Sequence, residues 1–180
     1  LAASLIENGD AVFINSGSTT FEVIKALRDH DITIVTNNMD AAWIANEDAR
    51  FRLIFVGGVY RTRSHAVSGG FSQFVIQQVY ANKAIIGVDG FSLSAGLTTP
   101  VIEEAETTRG MIERTVGKVI VVAASNKIGV LSNFSTVGAN DIDVVITDAA
   151  GEQLLSQSEL EENDIELLVA GARYIEEGES

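Results

Sequence analysis

The chain has 180 residues, 46% apolar and 21% charged, which suits one substantial core, and a single domain over 1–180 is expected. It has no cysteine, so disulfides, thiolate metal sites and thiol nucleophiles are excluded, and no apolar run reaches the roughly 20 residues of a membrane-crossing helix. The net charge of −13, from twelve basic and twenty-five acidic residues, excludes a broad cationic footprint for DNA or RNA.

In chain order, Leu1-Ala-Ala-Ser-Leu-Ile6 reads as a helix entered partway, and with no initiator Met the chain is expected to be a piece of something longer. β-branched apolar runs then predict strands at 11–15, 32–36, 51–56, 83–88, 119–124, 144–147 and 166–169. Between them, helical periodicity predicts helices over 19–28, 39–47, 71–79, 101–115 and 152–162. The fourth helix has the best start signal, with Thr99 as N-cap, Pro100 at the first helical position and Glu103 and Glu104 near the positive end of the dipole. The acidic stretch 176–180 is expected to be a solvated, frayed end. Runs such as Ile-Thr-Ile-Val and Val-Ile-Val-Val are apolar on both faces, as in strands covered by helices. The fold class is therefore α/β: a Rossmann-like, mostly parallel sheet with helices on both faces.

In such a sheet, ligands bind beyond the carboxyl ends of the strands. Five consecutive strands empty there into polar residues: Ser16-Gly-Ser-Thr-Thr20, Asn37-Asn38, Gly57-Gly58 followed by Arg61 and Arg63, Asp89-Gly90, and Ser125-Asn-Lys127. The first loop is the sharpest motif. Gly17 permits a tight turn, so backbone N–H groups and the hydroxyls of Ser16, Ser18, Thr19 and Thr20 can converge on an anion at a helix N-terminus. An ordinary Ser/Thr N-cap explains the same residues equally well in isolation. Neither a Walker A loop nor a Gly-x-Gly-x-x-Gly fingerprint is present, which demotes nucleotides.

Arg61, Arg63 and Lys127 are the basic residues predicted at this end, where they either meet a phosphate or remain solvated loop charges. Asp89 can accept from sugar hydroxyls, act as a base, or cap a turn. Asn37, Asn38, Thr98 and Thr99 offer neutral hydrogen bonds or serve turns and caps. Glu103 and Glu104 primarily serve the helix dipole, with a ligand contact from one of them as the minority reading. Trp43 is expected in the core or an interface. His30 and His65 have no ligand-like spacing, so neither a metal nor a cofactor is expected.

Asn15-Ser-Gly-Ser-Thr-Thr20, Val35-Thr-Asn-Asn38, Gly57-Gly58 with Arg61, Gly87-Val-Asp-Gly90, Gly96-Leu-Thr-Thr-Pro100, Glu103-Glu104 and Ser125-Asn-Lys127 occur in one order and spacing. In them the chain resembles the C-terminal effector domain of DeoR/GlpR-family transcriptional repressors, from about Leu1 to Asp148. The resemblance implies a fold similar to ribose-5-phosphate isomerase and CoA-transferase-like proteins, a cytoplasmic setting, and a phosphorylated sugar or polyol as effector. It also implies a winged helix-turn-helix upstream of Leu1 through which DNA is bound. Ser16, Gly17, Ser18, Thr19 and Thr20 would hold the phosphate. Asp89 and Lys127 would contact the sugar, with Asn37, Asn38, Gly57, Gly58, Arg61, Gly90, Thr98 and Glu103 around it. Val101 and Thr108 depart from the family, which often has a polar residue and a Lys there.

The rival reading is a sugar-phosphate isomerase or deaminase on the same fold. Isomerases resembling this chain carry Lys-Gly-Gly-Gly ahead of a helix with a catalytic Glu, where this sequence has Ser94-Ala-Gly-Leu97. The cation that would stabilise an enediolate is missing there, and that electrostatic contribution is usually the largest in catalysis. A non-enzymatic sensor is the expectation, and two-fold operators favour a self-associating one. A purely structural oligomerisation domain would bind no ligand at all.

Overall fold

The computed structural model describes residues 1–45 and 49–171. In chain order the strands are β1 (Ala11–Ile14), β2 (Thr33–Thr36), β3 (Arg52–Phe55), β4 (Val59–Arg61), β5 (Ala66–Ser68), β6 (Lys83–Gly87), β7 (Gly90–Ser92), β8 (Gly96–Thr99), β9 (Val119–Val122), β10 (Phe134–Val137), β11 (Val144–Asp148) and β12 (Glu166–Ala170). The α-helices are α1 (Ser18–Ala26), α2 (Gly70–Ile76), α3 (Ile102–Glu113), α4 (Ala149–Glu152) and α5 (Gln157–Glu162).

Seven strands form one parallel sheet in the order β12-β11-β9-β6-β1-β2-β3. Successive side chains of a strand face opposite ways. Val12, Ile14, Ile85 and Ile120 therefore pack with Ile24 and Leu27 in one core, while Phe13, Ile86 and Val121 pack with Ile76 and Met111 in another. Both faces are covered, as the uninterrupted apolar runs of these strands require.

The chain order matters for function. From β1 the sheet grows outward to β2 and β3, then the chain returns to lay β6 against the other side of β1. The connections leaving β1 and β6 diverge, and the crevice at their carboxyl ends is the topological switch point of the sheet. Asn15 stitches that point together: its amide donates to the Gly87 carbonyl at 2.9 Å and accepts from the Gly87 N–H at 2.7 Å.

Two smaller antiparallel pieces lay outside the sequence-based expectation: the β4–β5 hairpin and the three-stranded sheet β10-β8-β7. Their strands have three or four residues, too short for periodicity to register. Other expectations need correction. The helix expected over 39–47 is a 3-10 helix at Met39–Trp43, with 46–47 outside the described residues. The one expected over 152–162 is divided into α4 and α5, because Ser156 caps a new start and accepts from the Glu159 N–H. α3 begins after Val101 as N-cap, whereas Thr99 ends β8. The stretch 176–180 lies outside the described residues.

Candidate functional site

Beyond the carboxyl ends of β1 and β6 lies a cavity of about 870 Å³. β1 delivers Ser16, Gly17, Ser18 and Thr19 to its wall, β6 delivers Asp89, and the turn after β9 delivers Asn126 and Lys127. The small antiparallel pieces complete the rim, with Arg61, Arg63 and Ser64 from the β4–β5 hairpin, Leu97, Thr98 and Thr99 from β8, and Thr136 from β10. α3 contributes Glu104 and Thr108.

The first loop enters α1 with Gly17 as N-cap at φ 148°, and no side chain caps the helix. The first amides of a helix have no intrahelical acceptor, and here they open beside the exposed Ser18 and Thr19. Uncapped amides at the positive end of a helix dipole favour an anion. Thr20 belongs to the scaffold instead: it is fully buried, and its hydroxyl donates to the carbonyls of Asn15 (2.7 Å) and Gly17 (3.0 Å). The two asparagines after β2 are likewise beneath the loop and outside the cavity lining. Asn37 accepts from the Ser16 N–H at 2.7 Å, and Asn38 accepts from the Asp40 N–H while donating to the Gly17 carbonyl. They shape the β1–α1 loop from behind.

Three glycines are also placed by the backbone and not by a ligand. Gly57 and Gly58 are exposed, outside the cavity lining, and adopt φ of 70° and 124° in the turn before the hairpin. Gly90 is buried where the Val130 carbonyl and Thr98 hydroxyl leave no room for a Cβ.

On α3, Glu103 is exposed and outside the lining; the next residue faces the cavity. Glu104 accepts from the Ser64 hydroxyl at 2.8 Å and lies 3.5 Å from Arg61 Nε. Sequence reasoning named both glutamates but placed Glu103 at the ligand. A helix turns about 100° per residue, so a one-residue shift in its start exchanges the two faces. Glu104 lies one turn from Thr108, whose hydroxyl accepts from the Asn15 amide at 3.4 Å. Ser64 and Thr136 were missed, since nothing in their neighbourhood signals a hairpin or an edge strand. Trp43 is 84% exposed, so of the two places expected for it, core or interface, the core is not the one observed.

Asp89 accepts from the Thr99 hydroxyl at 2.8 Å, which fixes its carboxylate at the cavity wall. Arg63 and Lys127 form no ion pair among the described residues. Lys127 sits in a 3-10 turn whose start is pinned by Asp148, which accepts from the Ser125 N–H at 2.9 Å. No helix among the described residues is long and apolar enough to cross a membrane.

The chain is similar to several curated bacterial regulators. It is 32% identical over 148 residues to a putative aga operon transcriptional repressor of Escherichia coli O157:H7, covering 82% of this chain and 55% of that protein. It is 31% identical over 169 residues to the HTH-type transcriptional repressor GlcR of Bacillus subtilis, covering 94% and 64%. With the glycerol-3-phosphate regulon repressor of Escherichia coli K12 it shares 31% identity, covering 82% and 58%. The chain thus spans between 55% and 64% of the length of these relatives. Among solved structures, a ribose-5-phosphate isomerase in complex with phospho-erythronic acid matches at TM-score 0.50 and 20% identity, over 71% of this chain and 49% of that one. The eIF2B delta subunit of Chaetomium thermophilum matches at 0.52 and 17%, over 80% and 51%. These structural likenesses speak to the fold alone. The family model described as the DeoR C terminal sensor domain matches residues 1–149, and the chain belongs to that family.

Proposed function

We propose that the cavity binds a phosphorylated sugar or polyol as the effector of a transcriptional repressor, and that the chain is a sensor with no catalytic turnover. The supporting observation is the switch point itself: the uncapped amides of α1 open into a cavity that also presents Lys127 without a carboxylate partner among the described residues. A phosphoryl group satisfies both, and Asp89 and the threonines of β8 present acceptors and donors to hydroxyls around it. The names of the relatives, an aga operon repressor and a glycerol-3-phosphate regulon repressor among them, support a sugar-linked role. In this reading DNA is contacted by a part of the protein outside this chain, the protein self-associates, and it works in the cytoplasm. The effector acts by binding one arrangement of the DNA-binding parts better than another.

An isomerase reading draws support from the fold likeness. Against it, the turn joining β7 to β8 carries Ser94 and Ala95 and no cation. NMR of pentose and hexose phosphates incubated with the chain separates the two, and appearance of isomers overturns the sensor.

Binding itself is read by thermal shift and calorimetry against a panel of sugar and polyol phosphates. A ligand at 100 times its dissociation constant adds about 2.7 kcal/mol of apparent stability. Lys127→Ala and Ser18→Ala are expected to weaken binding by about 1–3 kcal/mol with the fold intact. Unchanged affinity in both removes the assignment of the cavity.

A further inference from the structure

The cavity wall carries five charged side chains: the cations Arg61, Arg63 and Lys127, and the carboxylates Asp89 and Glu104. Its own balance is thus one positive charge, set within a chain of net charge −13. A phosphoryl group brings about −1.5 to −2 at pH 7. One such group is roughly matched by that excess together with the α1 dipole; a second group on the same molecule finds no net positive charge left over in the wall.

Glu104 is responsible for this. Its side chain is only 15% exposed, and it engages two residues of the hairpin at once, Ser64 by a hydrogen bond of 2.8 Å and Arg61 at 3.5 Å. Arg61 Nε is buried and makes no hydrogen bond. The guanidinium is therefore held by charge at ion-pair distance without directional bonds, although it lines a cavity of suitable size for a hexose phosphate. A carboxylate in that position neutralises Arg61, one of the two hairpin cations in the wall, and its charge stands against a second anionic group beside Arg63.

We infer that Glu104 is the specificity-determining residue of the cavity, restricting it to ligands with one phosphoryl group by occupying Arg61 and repelling a second anion. This rests on the effector reading above. Glu104 engages Ser64 and Arg61 of the hairpin and makes no bond to the α1 loop among the described residues, so its removal should change the choice between ligands more than the affinity for the simpler one.

The test is a calorimetric comparison of fructose 6-phosphate with fructose 1,6-bisphosphate, alongside inorganic phosphate with pyrophosphate in case the hexose skeleton is refused. The 180-residue chain, Glu104→Gln, Arg61→Gln and the double variant are measured, with thermal unfolding to verify each fold. The unaltered chain should prefer the singly phosphorylated member of each pair. Glu104→Gln should shift the ratio of affinities toward the doubly charged member by at least about fivefold, the effect of one unit charge at ~4 Å even in bulk water. Arg61→Gln should shift it the other way, and the double variant should return near the starting ratio. If all ligands weaken equally in Glu104→Gln, its role is structural and the inference is overturned while the effector reading stands. If the unaltered chain binds none of these anions and no member of the panel of sugar and polyol phosphates, the effector reading itself fails, and the inference with it.

Discussion

Asn15, which lines the cavity, and Asn37, which lies outside the lining, hold the backbone of the candidate site in place. Asn15 is 6% exposed and exchanges both of its amide bonds with Gly87 across the β1–β6 seam. Asn37 is 1% exposed and holds the Ser16 N–H. Truncation leaves buried backbone groups without partners, so Asn15→Ala and Asn37→Ala should each lose about 1–3 kcal/mol of folding stability in denaturant titrations. Lys127→Ala should change stability by less than about 0.5 kcal/mol, because Lys127 is half-exposed and its side chain forms no ion pair among the described residues. An Asn15→Ala variant as stable as the original chain would show that the seam is held by the sheet hydrogen bonds alone. At this scale the sequence was half legible. Polar residues after each strand mark one end of the sheet, as Ser16, Asp89 and Lys127 do. Which of two adjacent polar residues faces the ligand is set by the phase of a helix or a turn, so Glu103 and Glu104, or Asn37 and Ser16, cannot be told apart before the backbone is known.

At the scale of elements, the inner strands of the parallel sheet were legible as apolar, β-branched runs buried on two faces, as in Val119-Ile-Val-Val122, and the edge strands β3 and β12, only partly buried, as short apolar runs. The rim built by the small antiparallel pieces was not, because β4 and β5 have three residues each and β8 owes part of its pairing to a neighbour distant in sequence, such as Phe134 with Thr99. The turn bearing Lys127 shows how elements cooperate. Asp148 caps α4 by accepting from the N–H groups of Ala150 and Gly151, and it also accepts from the Ser125 N–H. The Ser125 hydrogen bond first, then those from α4, hold its carboxyl below the usual carboxylate value of 3.8. A depressed folded-state pKa contributes stability that is present above 3.8 and is lost as pH falls through the folded value. Lys83 sets the opposite edge. Burial works against its charge, but the hydrogen bond and charge of Asp10, with Glu7, outweigh that and raise it above 10.5. Its contribution is full below 10.5 and disappears as pH rises through the raised value. Asp148→Asn should therefore lower the melting temperature at neutral pH, and the difference from the original chain should vanish at strongly acid pH. It should also weaken anion binding, since the Lys127 turn is anchored by the same carboxylate. A melting-temperature difference that persists unchanged into acid would remove the charged cap from this account.

For the whole molecule, charge decides what the chain can touch. Net −13 is spread over a surface on which several cations are already engaged: Lys25 with Glu22, Lys83 with Asp10, Lys118 with Glu166, and Arg61 with Glu104. Duplex DNA is bound by neutralising phosphates and releasing their counterions, so nonspecific affinity needs a run of unpaired cations on one face. Two of the cations without an ion pair among the described residues, Arg63 and Lys127, line a cavity too small for a duplex, whose major groove alone is about 12 Å wide. The isolated chain should therefore bind duplex DNA more weakly than the roughly 10⁻⁴ M limit of nonspecific binders at physiological salt, with no steep gain at 50 mM salt. Fluorescence anisotropy with a labelled duplex, with and without a saturating phosphorylated ligand, measures this directly. Micromolar binding by the chain alone would mean that the sensor contacts DNA itself. The effector would then compete with DNA at one surface, and a population shift relayed to a separate DNA-binding part would no longer be needed to explain repression.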